Sequence, residues 1–130
     1  MIRVCLVDDQ TLVRQGIRSL LALDGGIEVI AEASDGRQAV ETTPQVKPDV
    51  VLMDMRMPAM SGLEAVQALA RAGALPPTII LTTFDDDQLV LAGIKAGAKG
   101  YLLKDVSLDQ LVGAIRTVAQ GRRYLSPRTA

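Results

Sequence analysis

Five apolar runs of strand length recur along the 130 residues, with a helical pattern after each. The runs are IRVCLVD (Ile2 to Asp8), IEVIAEA (Ile27 to Ala33), DVVLMD (Asp49 to Asp54), PTIILTT (Pro77 to Thr83) and GYLLKD (Gly100 to Asp105). The second alternates like a half-exposed strand. DVVLMD and PTIILTT are apolar through their interiors, and such runs without alternation suit parallel strands covered on both faces.

The helical segments fill the gaps. Thr11 to Leu23 carries Leu12, Val13, Ile17, Leu20 and Leu21 near one face. Gly36 to Glu41 is shorter and is expected to stop before Pro44. Leu63, Val66, Leu69 and Ala70 mark a third helix, closed by Gly73, and Asp86 to Ala96 a fourth. The last has Ser107 as its cap, Gln110 completing a capping box, and a stripe running from Leu108 through Leu111, Val112 and Ile115 to Val118 and Ala119. Five strands alternating with five helices predict an α/β protein, a doubly wound five-stranded parallel sheet of (βα)5 type between two helical layers. From Gly121 the sequence GRRYLSPRTA changes character and reads as a linker or extended tail.

Composition narrows the chemistry. Hydrophobic residues make up 48% of the chain and aromatics 2%, so an ordered core must be built from aliphatic side chains. A net charge of -1 excludes a strongly basic nucleic-acid module and gives no support to membrane-surface binding. One cysteine and no histidine exclude an internal disulfide, a cysteine cage and imidazole acid–base chemistry. Any metal is then held by oxygens, which favours a hard ion such as magnesium over zinc. The N-terminus MIRVCLVDD has no leader-like apolar run, and a cytoplasmic protein is expected.

In an open parallel sheet, ligands gather at the C-terminal strand ends near the point where strand order reverses. Those ends carry Asp8 and Asp9, then Asp54, then Thr82 and Thr83, then Lys104. Acids, hydroxyls and one ammonium therefore converge on one edge. Several carboxylates close together in apolar surroundings resist full ionisation, and a divalent cation resolves the conflict. The plainer alternative is that Asp9 or Thr11 caps the first helix, with Asp54 capping the turn after its strand and Lys104 a solvated partner. A carboxylate beside a cation and a fixed ammonium can act as a nucleophile toward a phosphoryl group, which singles out Asp54, with Lys104 and Thr82 as stabilising donors.

With those residues in place, the sequence resembles the receiver domain of two-component response regulators over about residues 2 to 121. VDDQ (Val7 to Gln10) looks like the magnesium-binding acidic pair, and MDMRMPAMSG (Met53 to Gly62) like the phosphoacceptor loop. Ile80-Leu81-Thr82 looks like the strand ending in a switch hydroxyl, and AGAKGYLLKD (Ala96 to Asp105) like the segment with the switch aromatic, Tyr101, and Lys104. The resemblance implies a flavodoxin-like receiver fold, a phosphoryl group taken by Asp54 from a sensor histidine kinase, and magnesium on Asp8, Asp9, Asp54 and the backbone carbonyl of Arg56. It implies no independent enzyme activity beyond self-phosphorylation and slow self-dephosphorylation.

LVRQGIRSLL, the Thr82-Thr83-Phe84 run, LLKD and GRRYLSP are similar to the LuxR/FixJ-type transcriptional regulators. That implies a receiver at residues 1–121 and, from 122–130, the start of a linker toward a helix-turn-helix domain through which DNA would be bound. A stand-alone receiver is the alternative. The resemblance also implies a homodimer favoured by phosphorylation. Candidate apolar surface for it lies at Leu23 on the first helix and at Leu108 and Val118 on the last. Ser61 and Arg56 depart from the common pattern, and Arg56 is placed to shield or contact the phosphoryl group. A small magnesium-dependent phosphatase would need a second carboxylate where Arg56 stands. A nucleotide-binding module would need a glycine-rich loop where Asp9-Gln10-Thr11 stands. For Thr83, Cys5 and the five methionines, packing in or near the core is expected.

Overall fold

The computed structural model describes residues 1–83 and 86–125. The chain alternates β1 (Ile2–Val7), α1 (Thr11–Leu21), β2 (Ile27–Ala33), α2 (Gly36–Val46), β3 (Val50–Asp54), α3 (Gly62–Arg71), β4 (Thr78–Thr82), α4 (Asp87–Ala96), β5 (Gly100–Leu103) and α5 (Leu108–Ala119). All strand pairs are parallel, in the order β2-β1-β3-β4-β5. This is the expected doubly wound (βα)5 fold of flavodoxin-like receivers. The order reverses between β1 and β3, so the switch point lies between the end of β1 and the end of β3.

Side-chain alternation splits the core into two layers. Val4, Leu6, Val50, Leu52, Ile79, Leu81 and Leu102 face α1 and α5, meeting Leu21, Leu111, Ile115 and Val118. Cys5, Val7, Val51, Met53 and Ile80 face α2, α3 and α4, meeting Ala39, Ala65 and Val66. β3 and β4 are buried at every residue, which is why their sequences show no alternation.

Several expectations are corrected. α2 does not stop before Pro44 but runs to Val46, leaving at Lys47 with a left-handed φ of 49°. An interior proline costs a helix about 3 kcal/mol. Here Asp35 caps the helix by accepting the Gln38 N–H at 2.9 Å, and Ala39 and Thr43, one turn apart, are buried against the sheet. α1 ends at Leu21, and Leu12, Leu20 and Leu23 point away from the core, whereas Leu21 faces it and Ile17 packs against it. Val118, considered as dimer surface, is fully buried, and Leu108 packs against the core. β5 stops one residue before Lys104.

Of the segment expected as a linker, residues 122–125 are described, and they do not simply depart from α5. Tyr124 forms a parallel bridge to Gly100 and packs on the α1/α5 side of the core. A Cβ on Gly100 would run into the Tyr124 carbonyl, so the strand needs glycine there.

Candidate functional site

The strand ends converge because the register puts them level. Val7 lies opposite Met53, Asp54 opposite Leu81, and Thr82 opposite Leu103. Asp8 and Lys104 each follow one residue later, and the Lys104 backbone N–H donates to the Thr82 carbonyl at 2.9 Å. The Lys104 ammonium then stands 3.1 Å from Oδ2 of Asp8 and 3.1 Å from Oδ2 of Asp54. Both acids are buried, so this is no solvated surface pair.

Asp8 is fixed from two sides. Its Oδ1 accepts the Gln10 N–H at 2.8 Å, and its own carbonyl accepts from the Arg14 guanidinium at 2.6 Å. Arg14 is in turn paired with Glu32 at 3.2 Å. The capping alternative for the acidic pair is not what these residues do. Gln10 is the cap residue of α1, and no side chain caps that helix among the described residues. Asp54, the last residue of β3, accepts a long bond of 3.4 Å from the Arg56 backbone N–H.

The charge balance is unfavourable as it stands. Burial, then repulsion from Asp8, pushes the Asp54 carboxyl above the usual carboxylate range, and the Lys104 ammonium only partly offsets this. Burial works against charge on Lys104 as well, but the attraction of Asp54 and Asp8 prevails and holds its pKa above that of an ordinary lysine.

One oxygen each of Asp8, Asp9 and Asp54 lies within 4.8 Å of the others, with Asp9 exposed and the other two buried. Oδ2 of Asp8 has no hydrogen-bond partner among the described residues despite full burial, beyond the Lys104 charge beside it. A buried carboxylate oxygen with no partner but the Lys104 charge, within an all-oxygen cluster, is what a hard divalent cation would satisfy, so these residues fit such an ion.

Around this cluster opens a cleft of about 240 Å³ lined by Asp9, Asp54, Arg56, Thr83, Asp86 and Lys104 among others. Thr83, expected near the core, is instead exposed at its rim. Thr82 is buried, and its hydroxyl donates to the Thr83 carbonyl at 2.9 Å and lies 3.3 Å from Oδ2 of Asp86. Arg56 is mostly exposed, and its guanidinium grips Asp86, with Nε 3.1 Å and 3.0 Å from the two oxygens. Tyr101 lies opposite Ile80, on the sheet face of Thr82 and two residues short of it, half-buried against the α2–α4 side. Phe84, part of the regulator-like run, lies outside the described residues.

The loop after Asp54 is built for close approach. The Gly62 N–H returns to the Met55 carbonyl at 3.1 Å, and a Cβ at Gly62 would overlap the Asp54 carbonyl. Ser61, which stood out in the sequence only as a departure from the common pattern, caps α3 through a full capping box with Glu64, a pattern visible in the sequence as S-x-x-E. Asp86 had no such signal. At a helix start an aspartate reads as a cap, yet Asp86 makes no capping bond and turns to Arg56, Thr82 and Thr83 instead.

Comparison with known proteins matches residues 4–116 to the family model described as the response regulator receiver domain. The uncharacterized transcriptional regulatory protein YxjL of Bacillus subtilis is 47% identical over 131 residues, covering 99% of this chain and 59% of the relative. The nitrate/nitrite response regulator protein NarP of Escherichia coli is 47% identical over 126 residues, covering 97% and 59%. In structure, the response regulator ChrA of a heme-sensing two-component system superposes with a TM-score of 0.83 at 45% identity, over 97% of this chain and 60% of that one. The chain thus spans about three fifths of the length of these relatives. The matches extend over several regulator types, including proteins described as LuxR family and as NarL, and support no single subfamily.

Proposed function

The chain belongs to the response regulator receiver domain family, and on that premise we propose that it is a phosphorylation-dependent signalling receiver whose acceptor is Asp54. The observation that carries this reading is the Lys104 ammonium 3.1 Å from both Asp8 and Asp54, two buried carboxylates at the switch point of the sheet. An oxygen of Asp54 attacks the phosphorus of a phosphohistidine on a sensor kinase. The new O–P bond forms as the P–N bond breaks, and the imidazole leaves with the bonding electron pair. No general base is needed, because the nucleophile is already a carboxylate. Lys104 follows the negative charge onto the phosphoryl oxygens, and the Thr82 hydroxyl, once turned inward, donates to one of them.

Asp8, Asp9, Asp54 and the Arg56 carbonyl would hold magnesium, which supplies charge neutralisation for the phosphoryl oxygens. Each movement at the site is small, so output requires a two-state equilibrium that the added charge biases, with Thr82 and Tyr101 as the moving pair.

The wider reading rests on the resemblance of the sequence to LuxR/FixJ-type regulators and is supported by relatives described as transcriptional regulatory proteins. Residues 1–121 form the receiver and 122–130 begin the connection to a helix-turn-helix domain of LuxR/FixJ type that binds DNA. The protein is a cytoplasmic transcriptional regulator, and phosphorylation favours its homodimer. Among the described residues no helix is long and apolar enough to cross a membrane. Incubation with a small phosphodonor and magnesium tests the acceptor: stoichiometric acyl phosphate is expected on the wild-type chain and none on Asp54→Asn. Uptake by Asp54→Asn at wild-type stoichiometry would overturn the assignment.

A further inference from the structure

We propose that Asp86 is a positioning residue for phosphoryl acceptance: it withholds the Arg56 guanidinium and the Thr82 hydroxyl from Asp54 while the site is free of phosphate. The inference rests on Asp54 being the acceptor. It is carried by a side chain in an unusual employment. Asp86 stands at the cap position of α4, where an aspartate ordinarily accepts an N–H of the first turn, and it makes no such bond. It is nonetheless buried, and a buried carboxylate must find its donors elsewhere.

The donors it has found all belong to the acceptor site. Arg56 Nε lies 3.1 Å and 3.0 Å from its two oxygens, and Nη2 pairs with Oδ1. The Thr82 hydroxyl lies 3.3 Å and the Thr83 hydroxyl 3.4 Å from Oδ2. Arg56 lines the same cleft as Asp54, its backbone N–H reaches Asp54, and two of its guanidinium nitrogens are already engaged by Asp86. A hydroxyl has one hydrogen, and that of Thr82 is committed between the Thr83 carbonyl and Asp86.

Three effects then act in one direction. An acyl phosphate on Asp54 brings acceptor oxygens that need donors, and Asp86 holds a guanidinium and a hydroxyl of the same site. Asp86 also lines the same cleft as Asp54, so its negative charge opposes the new one. Replacing the carboxylate by an amide releases Arg56 and Thr82 and removes the opposing charge together. Separating release from simple repulsion needs a second background in which no arginine is available to release.

The test uses beryllofluoride as phosphoryl mimic, with magnesium, on the 130-residue chain, its affinity read by titration of backbone amide resonances. Asp86→Asn is expected to bind the mimic about three- to tenfold more tightly than wild type, and Asp86→Ser gives the same reading should the amide disturb the fold. In wild type, the Arg56 Nε–H resonance is expected to shift when the mimic binds, as the arginine leaves Asp86. In an Arg56→Ala background the gain from Asp86→Asn is expected to fall to less than half. An unchanged or weaker affinity in both Asp86 variants overturns this inference alone. A gain of full size in the Arg56→Ala background also overturns it, because repulsion would then be the whole effect. No binding by the wild-type chain would overturn the acceptor reading and this inference with it.

Discussion

The backbone N–H of Tyr101 donates to the carbonyl of Tyr124 at 3.1 Å, tying β5 to the chain beyond the last helix. The Tyr124 N–H returns to the Lys99 carbonyl at 2.9 Å, so the pair brackets Gly100. The two rings lie on opposite sides of the sheet, Tyr101 with the α2–α4 layer and Tyr124 with the α1/α5 layer. β5 is an edge strand, and Tyr124 covers part of the hydrogen-bonding row that an edge leaves open.

Gly100→Ala tests that docking. The added methyl meets the Tyr124 carbonyl, so residues 122–125 are expected to lift from the edge. A loss of about 1–3 kcal/mol in urea unfolding is expected, as for other overpacked sites. The Tyr101 amide should exchange with solvent faster, while amides bonded within β4 keep their rates. An unchanged Tyr101 exchange rate would show that the tail contributes no protection there.

Asp54 carries a penalty that its substitution should reveal. Its carboxyl titrates above the usual range, chiefly through burial and then through Asp8. The native chain therefore holds this proton to higher pH than the unfolded chain does. Its contribution to stability falls as pH rises from the ordinary carboxylate value through the raised one, and the penalty persists at neutral pH. Lys104 works at the other end: its raised pKa gives stability that is complete below the ordinary lysine value and lost only as pH climbs past the raised one. Asp54→Asn should thus show a higher urea midpoint than wild type at pH 7, with the difference shrinking on acidification. A lower midpoint at pH 7 would contradict the charge balance. Magnesium at about five times its Kd should stabilise wild type by ~1 kcal/mol and Asp54→Asn by less.

The loop after Asp54 has a separable structural part in Ser61. Its hydroxyl accepts the Glu64 N–H at 3.1 Å, and the Glu64 carboxylate accepts the Ser61 N–H at 2.9 Å. Ser61→Ala is expected to cost about 1 kcal/mol, and Ser61→Asp to stay near wild type, because aspartate caps as well as serine does. The requirement at this position is a cap, and either residue meets it. Urea unfolding of the two variants checks it, equal losses for Ala and Asp being the contrary result.

How far the sequence discloses the site depends on the range of the forces involved. Asp8, Asp54 and Lys104 stood out because each directly follows or ends a mostly apolar run, so the charge there is conspicuous, and topology then brings those ends level. Pro44 misled, because a local rule against proline in helices was outweighed by the burial of Ala39 and Thr43, which only the fold supplies. The apolar spacing of α1 marked a helix but left its rotation open, and so Leu12 and Leu20 could not be seen to face outward. Asp86 was the least legible. Its partner Arg56 lies 30 residues away, and no local pattern announces such a pair.

Cys5 offers a last check on how tightly the sheet is closed. It is fully buried in β1, on the side of α2 and α3, and burial pushes its thiol up to about 11 from an ordinary value of 9.0, with the Thr43 hydroxyl offsetting only part. The thiolate is the reactive species, so the native chain holds almost none of it at pH 8, and the reagent has no path to it. A thiol reagent at pH 8 should therefore label the chain only through unfolding, at a rate that rises with urea in step with the unfolded fraction. The same shift adds an alkaline limb to stability: the native thiol keeps its proton longer, so stability falls as pH rises from 9.0 toward about 11. Cys5→Ala should remove that part of the limb while losing about 1–3 kcal/mol to the cavity it leaves. Rapid labelling of the native wild-type chain would mean that the β1 layer opens far more readily than its packing allows.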